Sequence, residues 1–485
     1  MDVQHSDSLF IAEPFVPGHS KPKGAVLKTF VRPQDGVHIG DIVESGAEGV
    51  AVAVASSRAA FRAFKSSSIH DRMALLKQAS DAIRGSAADI AKLICEDVGK
   101  PIKAANFEAN RGCDFIDACI AAVSQLRGEV LPLDAVATGR GLTGFTKRVP
   151  YGVVGGITPF NAPVNLLLQK VMPAVAVGNA IVVKPALSGS RVATQLAKLF
   201  LEAGWPQGLF NVVTGDRETA LALAAHPDVD AISFTGGTAA GHDLVRAAGA
   251  KKFVAELGSN AANIVLGDAD LKFAATRIAS AGFEASGQQC ISAQRVLVQR
   301  SVLGEFLALF TAAAKAMKVG LASDPATDVG PMVHLAAAER VMSMVEDAVA
   351  KGATVALKPE RDGATVSPGI LVDIAKNSRL WKDEVFGPIV AVVPFDMIDE
   401  AIELANDSDF GLQGAVFTQG LSHALRFAED MDVGSLWINE ASRFRLDMYP
   451  FGGVKQSGIG REGVVYAMEE LSQVKFIGIR SQPLS

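Results

Sequence analysis

Between Glu48 and about Gln125 the apolar residues recur at the 3.6-residue period of amphipathic helices: Val50, Val54, Ala59, Phe61 and Phe64, then Met73, Leu76, Ile83, Ile90 and Leu93. The spacing predicts a helical region there. Residues 1 to about 50, with Pro14, Pro17, Pro22 and Pro33, read instead as irregular segments and short strands. From Tyr151 to Leu257 the pattern changes to short apolar runs, Gly152–Ile157, Ala180–Val183, Phe210–Val213, Ala231–Phe234 and Phe253–Leu257, separated by helical stretches. Strands alternating with helices of this length make βαβ units, so an α/β fold with a doubly wound parallel sheet is expected. A second α/β series follows, with strands near Asn263–Leu266, Arg295–Val298, Ile389–Val393, Ala415–Phe417 and Ser435–Ile438. Between Gly128 and Arg148 the period is lost, and Gly139, Gly141 and Gly144 suit an exposed hairpin or crossover. The tail Lys475–Ile479 reads as one more strand, able to pair with another subunit.

Length and composition narrow the class. A chain of 485 residues exceeds one compact core, and 49% hydrophobic with 20% charged residues is ordinary globular composition. A net charge of -6 with no basic block gives no footing for nucleic acid. The most apolar stretch, Ala162 to Val183, is interrupted by Asn165, Lys170, Pro173 and Asn179, so no membrane span is expected. Met1 to Ser8 lacks the basic and apolar regions of a secretion signal. Four cysteines, Cys95, Cys113, Cys119 and Cys290, form no CxxC pair, which fits a reducing cytoplasm. The eight histidines show no HxxxH spacing, and no metal is expected.

Three residues suggest chemistry. Cys290, in Ser286-Gly287-Gln288-Gln289-Cys290-Ile291, falls between a helical stretch and a strand, where a thiol can be both exposed and fixed. Any lone cysteine is more often a buried structural thiol, and Cys95, Cys113 and Cys119 are read that way. Glu256 lies at the C-terminal end of the last strand of the regular series, where open α/β sheets place their sites, and its carboxylate can activate water. Asn161, in Thr158-Pro159-Phe160-Asn161-Ala162-Pro163, sits in a turn stiffened by two prolines, and its amide can donate to an oxyanion.

These residues belong to motifs that resemble the aldehyde dehydrogenase superfamily over nearly the whole chain. The motifs are Pro159-Phe160-Asn161, Glu256-Leu257-Gly258, Gly287-Gln288-Gln289-Cys290 placed 34 residues after Glu256, and Glu384-Val385-Phe386-Gly387-Pro388. The segment Pro450–Gly458, followed by Gly460-Arg461-Glu462, is similar to the family's closing signature. The resemblance implies Cys290 as nucleophile, Glu256 as general base, Asn161 with the Cys290 N–H as oxyanion hole, and Lys170 as a supporting lysine. It implies a dinucleotide-binding domain over residues 1–127 and 149–256, a catalytic domain over 257–453, and oligomerisation elements at 128–148 and 454–485, giving a homodimer or homotetramer.

A nicotinamide is the simplest hydride acceptor where neither metal nor flavin signatures occur. The turn Phe234-Thr235-Gly236-Gly237 into a helix can meet a pyrophosphate, although it is not GxGxxG. The resemblance implies further cofactor contacts from Ile157, Thr158, Pro159 and Phe160, from Lys184, Pro185, Ala186 and Leu187, from Gly215, Leu257 and Gly258, and from Glu384 and Phe386. Many NAD-preferring members carry a glutamate where Leu187 stands here. Its absence removes repulsion against a 2′-phosphate, so both NAD and NADP are expected.

Arg111, Arg443 and Arg445 fall where related enzymes line the substrate tunnel, and arginine holds anionic groups in bidentate fashion. They point to a small anionic aldehyde, as in the lactaldehyde and phosphonoacetaldehyde branch that this chain resembles; structural ion pairs are the competing reading. Rival functions are a relative that passes the thioester to coenzyme A, against which Glu256 argues, and a catalytically silent binding protein.

Overall fold

Five of the apolar runs pair as parallel neighbours in a computed structural model that describes residues 9–19 and 26–480. Their order across the sheet is Lys252–Glu256, Ala231–Thr235, Val153–Thr158, Ala180–Pro185 and Phe210–Val212, with Gly458–Ile459 added antiparallel beside Glu256. The chain reverses direction across this sheet at Val153–Thr158, the switch point at which open α/β sheets form a crevice. Val153–Thr158 and Ala180–Pro185 are buried at every position, because helices cover both faces.

The helical region divides into Gly46–Phe64, Ile69–Val98 and Ile102–Ala122. Ser68 and Asp71 form a reciprocal capping box at the start of the second helix, and Gly99, at φ 74°, ends it in the left-handed conformation. Leu76, Ile83 and Ile116 from these helices pack with Leu167 and Val171 of helix Asn165–Ala176, which is buried along its whole length. Before residue 50 the short strands Phe10–Ala12, Leu27–Val31 and His38–Val43 form a small sheet.

The second series forms a seven-stranded sheet in the order Thr354–Leu357, Gly369–Val372, Ile389–Phe395, Arg295–Gln299, Ala262–Val265, Gln413–Phe417 and Ser435–Ile438, parallel except at its first edge. The strands Thr354–Leu357 and Gly369–Val372, at that first edge, are additions to the sequence reading. The excursion after Gly128 gives Val130–Leu131 and Leu142–Pro150, the latter pairing antiparallel with the tail strand Ser472–Arg480. The tail therefore completes a ladder within its own chain. The N-terminal stretch read for a signal, Pro22 and the last five residues of the 454–485 segment lie outside the described residues. No helix among the described residues is long and apolar enough to cross a membrane.

Arg295 ties the second sheet to a helix end. It is 2% exposed, and its guanidinium donates to the carbonyls of Leu404 (2.8 Å), Ala405 (2.9 Å) and Asn260 (3.2 Å), with the Trp381 ring centroid 5.0 Å away. Leu404 and Ala405 close helix Ile398–Asn406, where carbonyls lack intrahelical partners and a cation complements the helix dipole. Burial draws the pKa of Arg295 down to about 10, which leaves it charged at neutral pH. Arg295→Met should therefore destabilise the fold by about 3 kcal/mol, since it orphans buried carbonyls. A lowered urea midpoint is expected, and an unchanged one would contradict this account.

Candidate active site

The loop that presents Cys290 is held in an unfavourable backbone conformation. After helix Leu271–Phe283, residues Ala285, Ser286 and Gly287 take φ values of 52°, 59° and 64°. The two non-glycine residues each cost on the order of 1 kcal/mol in that region, so the surroundings must impose it. Ser286 Oγ donates to the Gly330 carbonyl at 2.8 Å, the Val333 N–H donates to Gln288 Oε1 at 3.0 Å, and Ser292 Oγ donates to the Ala281 carbonyl at 2.8 Å. At Gly287 a Cβ would lie 2.3 Å from the Gly387 carbonyl oxygen, which restricts the position to glycine. Cys290 lies deep in the protein yet is part-exposed, because cavities reach it. Burial pushes its thiol up to about 12, with Arg445 opposing. Cys95, Cys113 and Cys119 are buried, the last two within the helical core.

Two cavities meet at Cys290 and Asn161, which belong to the walls of both. One, of about 450 Å³, lies beyond the C-terminal ends of the first parallel sheet. Ile157, Thr158, Pro159 and Phe160 form one side, Phe234, Thr235, Gly236, Gly237 and Leu257 another, and Lys184 with Ala186 a third. Glu384 and Phe386 complete it, the Phe386 ring standing edge-on to Phe160 at 5.8 Å. Four residues expected at this cleft do not form its wall. Leu187 packs with Ala12, Phe30 and Ile42 of the N-terminal sheet. Gly215 passes beneath Glu44, whose Oε1 would be 2.2 Å from a Cβ there. Gly258 turns its N–H to Thr238 Oγ1 at 3.1 Å, and Pro185 closes its strand. No motif or spacing indicates Asp216, Arg217 and Asp243, which line the cleft.

Gly237 caps helix Thr238–Ala248 with no side chain of its own, and nothing lies within 4 Å of where its Cβ would be. The N–H groups of that first turn therefore have no cap side chain as acceptor and are left for an anion such as a pyrophosphate. Burial lowers Lys184 to about 8 and raises Glu384 to about 7, so both sit where a bound ligand can set their charge.

Behind Cys290 lies a fully buried cluster of charge. Glu256 ends its strand with 1% exposure, and neither carboxylate oxygen has a hydrogen-bond partner among the described residues. Burial, then the neighbouring Glu462, raises its pKa well above the carboxylate range. Glu462 accepts from Lys170 Nζ at 2.9 Å and from Arg445 Nη2 at 3.2 Å. Burial works against its charge, but Lys170 and Arg445 hold its pKa below the ordinary value. Lys170 Nζ also donates to Thr235 Oγ1 at 2.7 Å and Ser233 Oγ at 3.3 Å. Asn161 Nδ2 donates to the Gln288 carbonyl at 2.9 Å. Glu462 belongs to the closing motif, but no sequence signal revealed its partners.

The second cavity, of about 570 Å³, brings Arg111, Arg443 and Arg445 to one wall with Cys290. All three are paired. Arg111 donates to both oxygens of Asp447 at 2.9 and 3.0 Å. Arg443 donates to Glu284 at 2.5 Å, to Gln289 Oε1 at 2.9 Å and to the Ser280 carbonyl at 2.9 Å. Arg445 lies 3.7 Å over the Phe451 ring, and beyond its bond to Glu462 its buried Nε has no hydrogen-bond partner among the described residues.

The whole arrangement has counterparts among known proteins. The family model described as aldehyde dehydrogenase family matches residues 22–477. A 3-sulfolactaldehyde dehydrogenase of Priestia aryabhattai is 39% identical over 426 residues, covering 88% of this chain and 89% of the relative. A sulfoacetaldehyde dehydrogenase of Neptuniibacter caesariensis is 37% identical over 408 residues, 84% of this chain and 90% of the relative. The crystal structure of an NADP-dependent glyceraldehyde-3-phosphate dehydrogenase from Bacillus halodurans, complexed with NADP, superposes with a TM-score of 0.94 at 33% identity, covering 97% of this chain and 99% of that one. With matching sequence over almost its full length, and matching fold, the chain belongs to the aldehyde dehydrogenase family.

Proposed function

We propose that the protein oxidises a small anionic aldehyde to its carboxylate with NAD or NADP. The observation that carries this is the meeting of two cavities at one part-exposed thiol, one shaped for a dinucleotide and one walled by arginines. When bound, the nicotinamide supplies the hydride acceptor. The chain's own residues do the rest. Cys290 gives up its Sγ–H proton to water, Sγ attacks the carbonyl carbon, and the Asn161 amide and the Cys290 N–H receive the oxyanion of the hemithioacetal so formed. Loss of hydride leaves a thioester on Cys290. In its ionised form Glu256 takes a proton from water, the hydroxide attacks the thioester and breaks the C–S bond, and the acid's proton passes to the sulfur as the carboxylate departs and the thiol is restored. Lys170 holds Glu462 and so sets the field around Glu256.

Lys184 and the uncapped turn at Gly237 would hold the cofactor's adenosine and pyrophosphate, and Glu384 the ribose beside the nicotinamide. With Leu187 turned to the N-terminal sheet, no carboxylate from that position opposes a 2′-phosphate. Among the three arginines, Arg445 best fits the role of anion holder, because it is the one whose charge is felt at Cys290, and its Nε, 3.9 Å from Asp447, makes no hydrogen bond among the described residues. Arg111 and Arg443 serve as braces, which fits the ion-pair reading of the sequence. The relatives named for sulfonated and phosphorylated aldehydes support an anionic substrate. For assembly we propose a homodimer or homotetramer in which the excursion 128–148 and the tail make contacts, since Val130, Val474, Phe476 and Ile479 expose apolar surface on that sheet.

Three outcomes test this. Glu256→Gln should release about one equivalent of reduced cofactor per subunit and then turn over on the order of 10²–10⁴ times more slowly, measured by stopped flow; a linear trace at the wild-type rate would contradict water activation by Glu256. Arg445→Gln should raise KM for a sulfonated or carboxylated aldehyde about tenfold or more beyond any change for propanal, and equal effects on both would remove the anion-holding role. Because burial holds the Cys290 thiol near 12, iodoacetamide should alkylate the free enzyme about tenfold faster per pH unit from about pH 7 to about pH 9. A plateau near neutrality would show a thiolate already formed.

A further inference from the structure

Helix Asn165–Ala176 begins without a cap of its own. The residues before it are Ala162, Pro163 and Val164, none with a side chain that accepts a hydrogen bond, although the first N–H groups of a helix need acceptors. The missing acceptor comes from another helix. Glu108, on Ile102–Ala122, is 2% exposed, and its Oε1 accepts from the Val164 N–H at 2.8 Å and from the Asn165 N–H at 3.3 Å. Its Oε2 is paired with the nearly buried ammonium of Lys100. A carboxylate at a helix N-terminus is favoured by the dipole as well as by the hydrogen bonds.

The capped helix is the one on which the site depends. Asn161 lies four residues before its first turn, on a segment stiffened by Pro159 and Pro163, and Lys170 projects from its second turn to Glu462 and Thr235. We propose that Glu108 is a positioning residue: by capping this helix from outside it fixes where the Asn161 amide stands relative to Cys290. Glu108 also belongs to the wall of the aldehyde cavity, so the cap and the substrate passage share one side chain. The proposal rests on the reading of Asn161 as oxyanion donor.

Two conservative variants separate the cap from the ion pair. Glu108→Asp keeps the charge facing Lys100 but withdraws the acceptor by one methylene from the Val164 N–H. Glu108→Gln keeps length and a carbonyl acceptor but loses the charge. Both are measured for thermal midpoint, cofactor affinity, kcat, and alkylation of Cys290 by iodoacetamide located by peptide mass spectrometry. Alkylation displaces iodide without forming an oxyanion, so a general loosening of the site changes it whereas displacement of Asn161 does not. The expected result is a kcat about tenfold to a hundredfold lower in Glu108→Asp, within about threefold of wild type in Glu108→Gln, with alkylation unchanged in both. The reverse order of kcat would assign the effect to the Lys100 pair and overturn the proposal, as would equal kcat in both variants or a parallel loss of alkylation. Asn161→Ala distinguishes the two levels: wild-type kcat there removes the oxyanion reading itself, whereas a large loss there without one in Glu108→Asp removes only the role of Glu108.

Discussion

Two carboxylates cannot share a buried site while both are charged, unless cations neutralise at least one of them. Glu256 and Glu462 meet that constraint in full. Lys170 and Arg445 both pair with Glu462, whose pKa is held down, and Glu256 is left without a hydrogen bond among the described residues and with its pKa raised. Much of the architecture supplies this division. Glu256 comes from the edge of the parallel sheet, Lys170 from the buried helix after the switch strand, and Arg445 and Glu462 from the closing segment that adds Gly458–Ile459 to the same sheet. The pairing of Glu256 with Gly458 places the closing segment beside the carboxylate it helps to tune.

The sequence showed most of this fold because its information is periodic and local. The five buried strands of the first sheet are near-continuous apolar runs, and their limits differ from the sequence reading by a residue or two. The candidate site was legible because Asn161, Glu256 and Cys290 each lie within a contiguous motif at a strand or helix end. What stayed hidden depends on contacts between distant segments. Glu108 meets Val164 across 56 residues, Arg111 meets Asp447 across 336, and Arg445 shares Glu462 with Lys170 across 292. None of these partners has a spacing that identifies it. Leu187, expected at the cleft, packs instead with Ala12, Phe30 and Ile42, where an apolar side chain gains more than it would by facing the cleft.

Ion pairing along the aldehyde cavity has a related physical logic. Lys100, Lys103, Arg277, Arg443 and Arg445 belong to its wall, and carboxylates pair with each of them: Glu108, Asp328, Glu440, Glu284 and Glu462 in turn. Paired cations are held in place without a ligand, so an incoming anion finds donors that need little ordering. They also bind a small anion less strongly than free cations would, because each charge is already partly neutralised. Such a wall suits the proposed anionic aldehyde, since it would guide the substrate in and let a carboxylate product leave. The proposed recognition at Arg445 then depends on a donor held less firmly than the others, its Nε standing 3.9 Å from Asp447 with no hydrogen bond among the described residues.

The strained loop before Cys290 completes the argument about position. Ala285 and Ser286 hold left-handed geometry only because Gly330, Asp328 and Val333 from a neighbouring segment accept from or donate to the loop. Gly287 lies against the Gly387 carbonyl, in the same motif that brings Glu384 and Phe386 to the dinucleotide cleft. Phe386 itself has a φ of 48°. The backbone that holds Cys290 and the backbone that shapes the cofactor cleft are therefore packed against each other, and a shift in one displaces the other. A site that must bring a carbonyl carbon within reach of both a sulfur and a hydride acceptor needs that coupling, since an error of about 1 Å in either direction costs on the order of 10²-fold in rate. The strain is the price of a fixed angle between two cavities that would otherwise move independently.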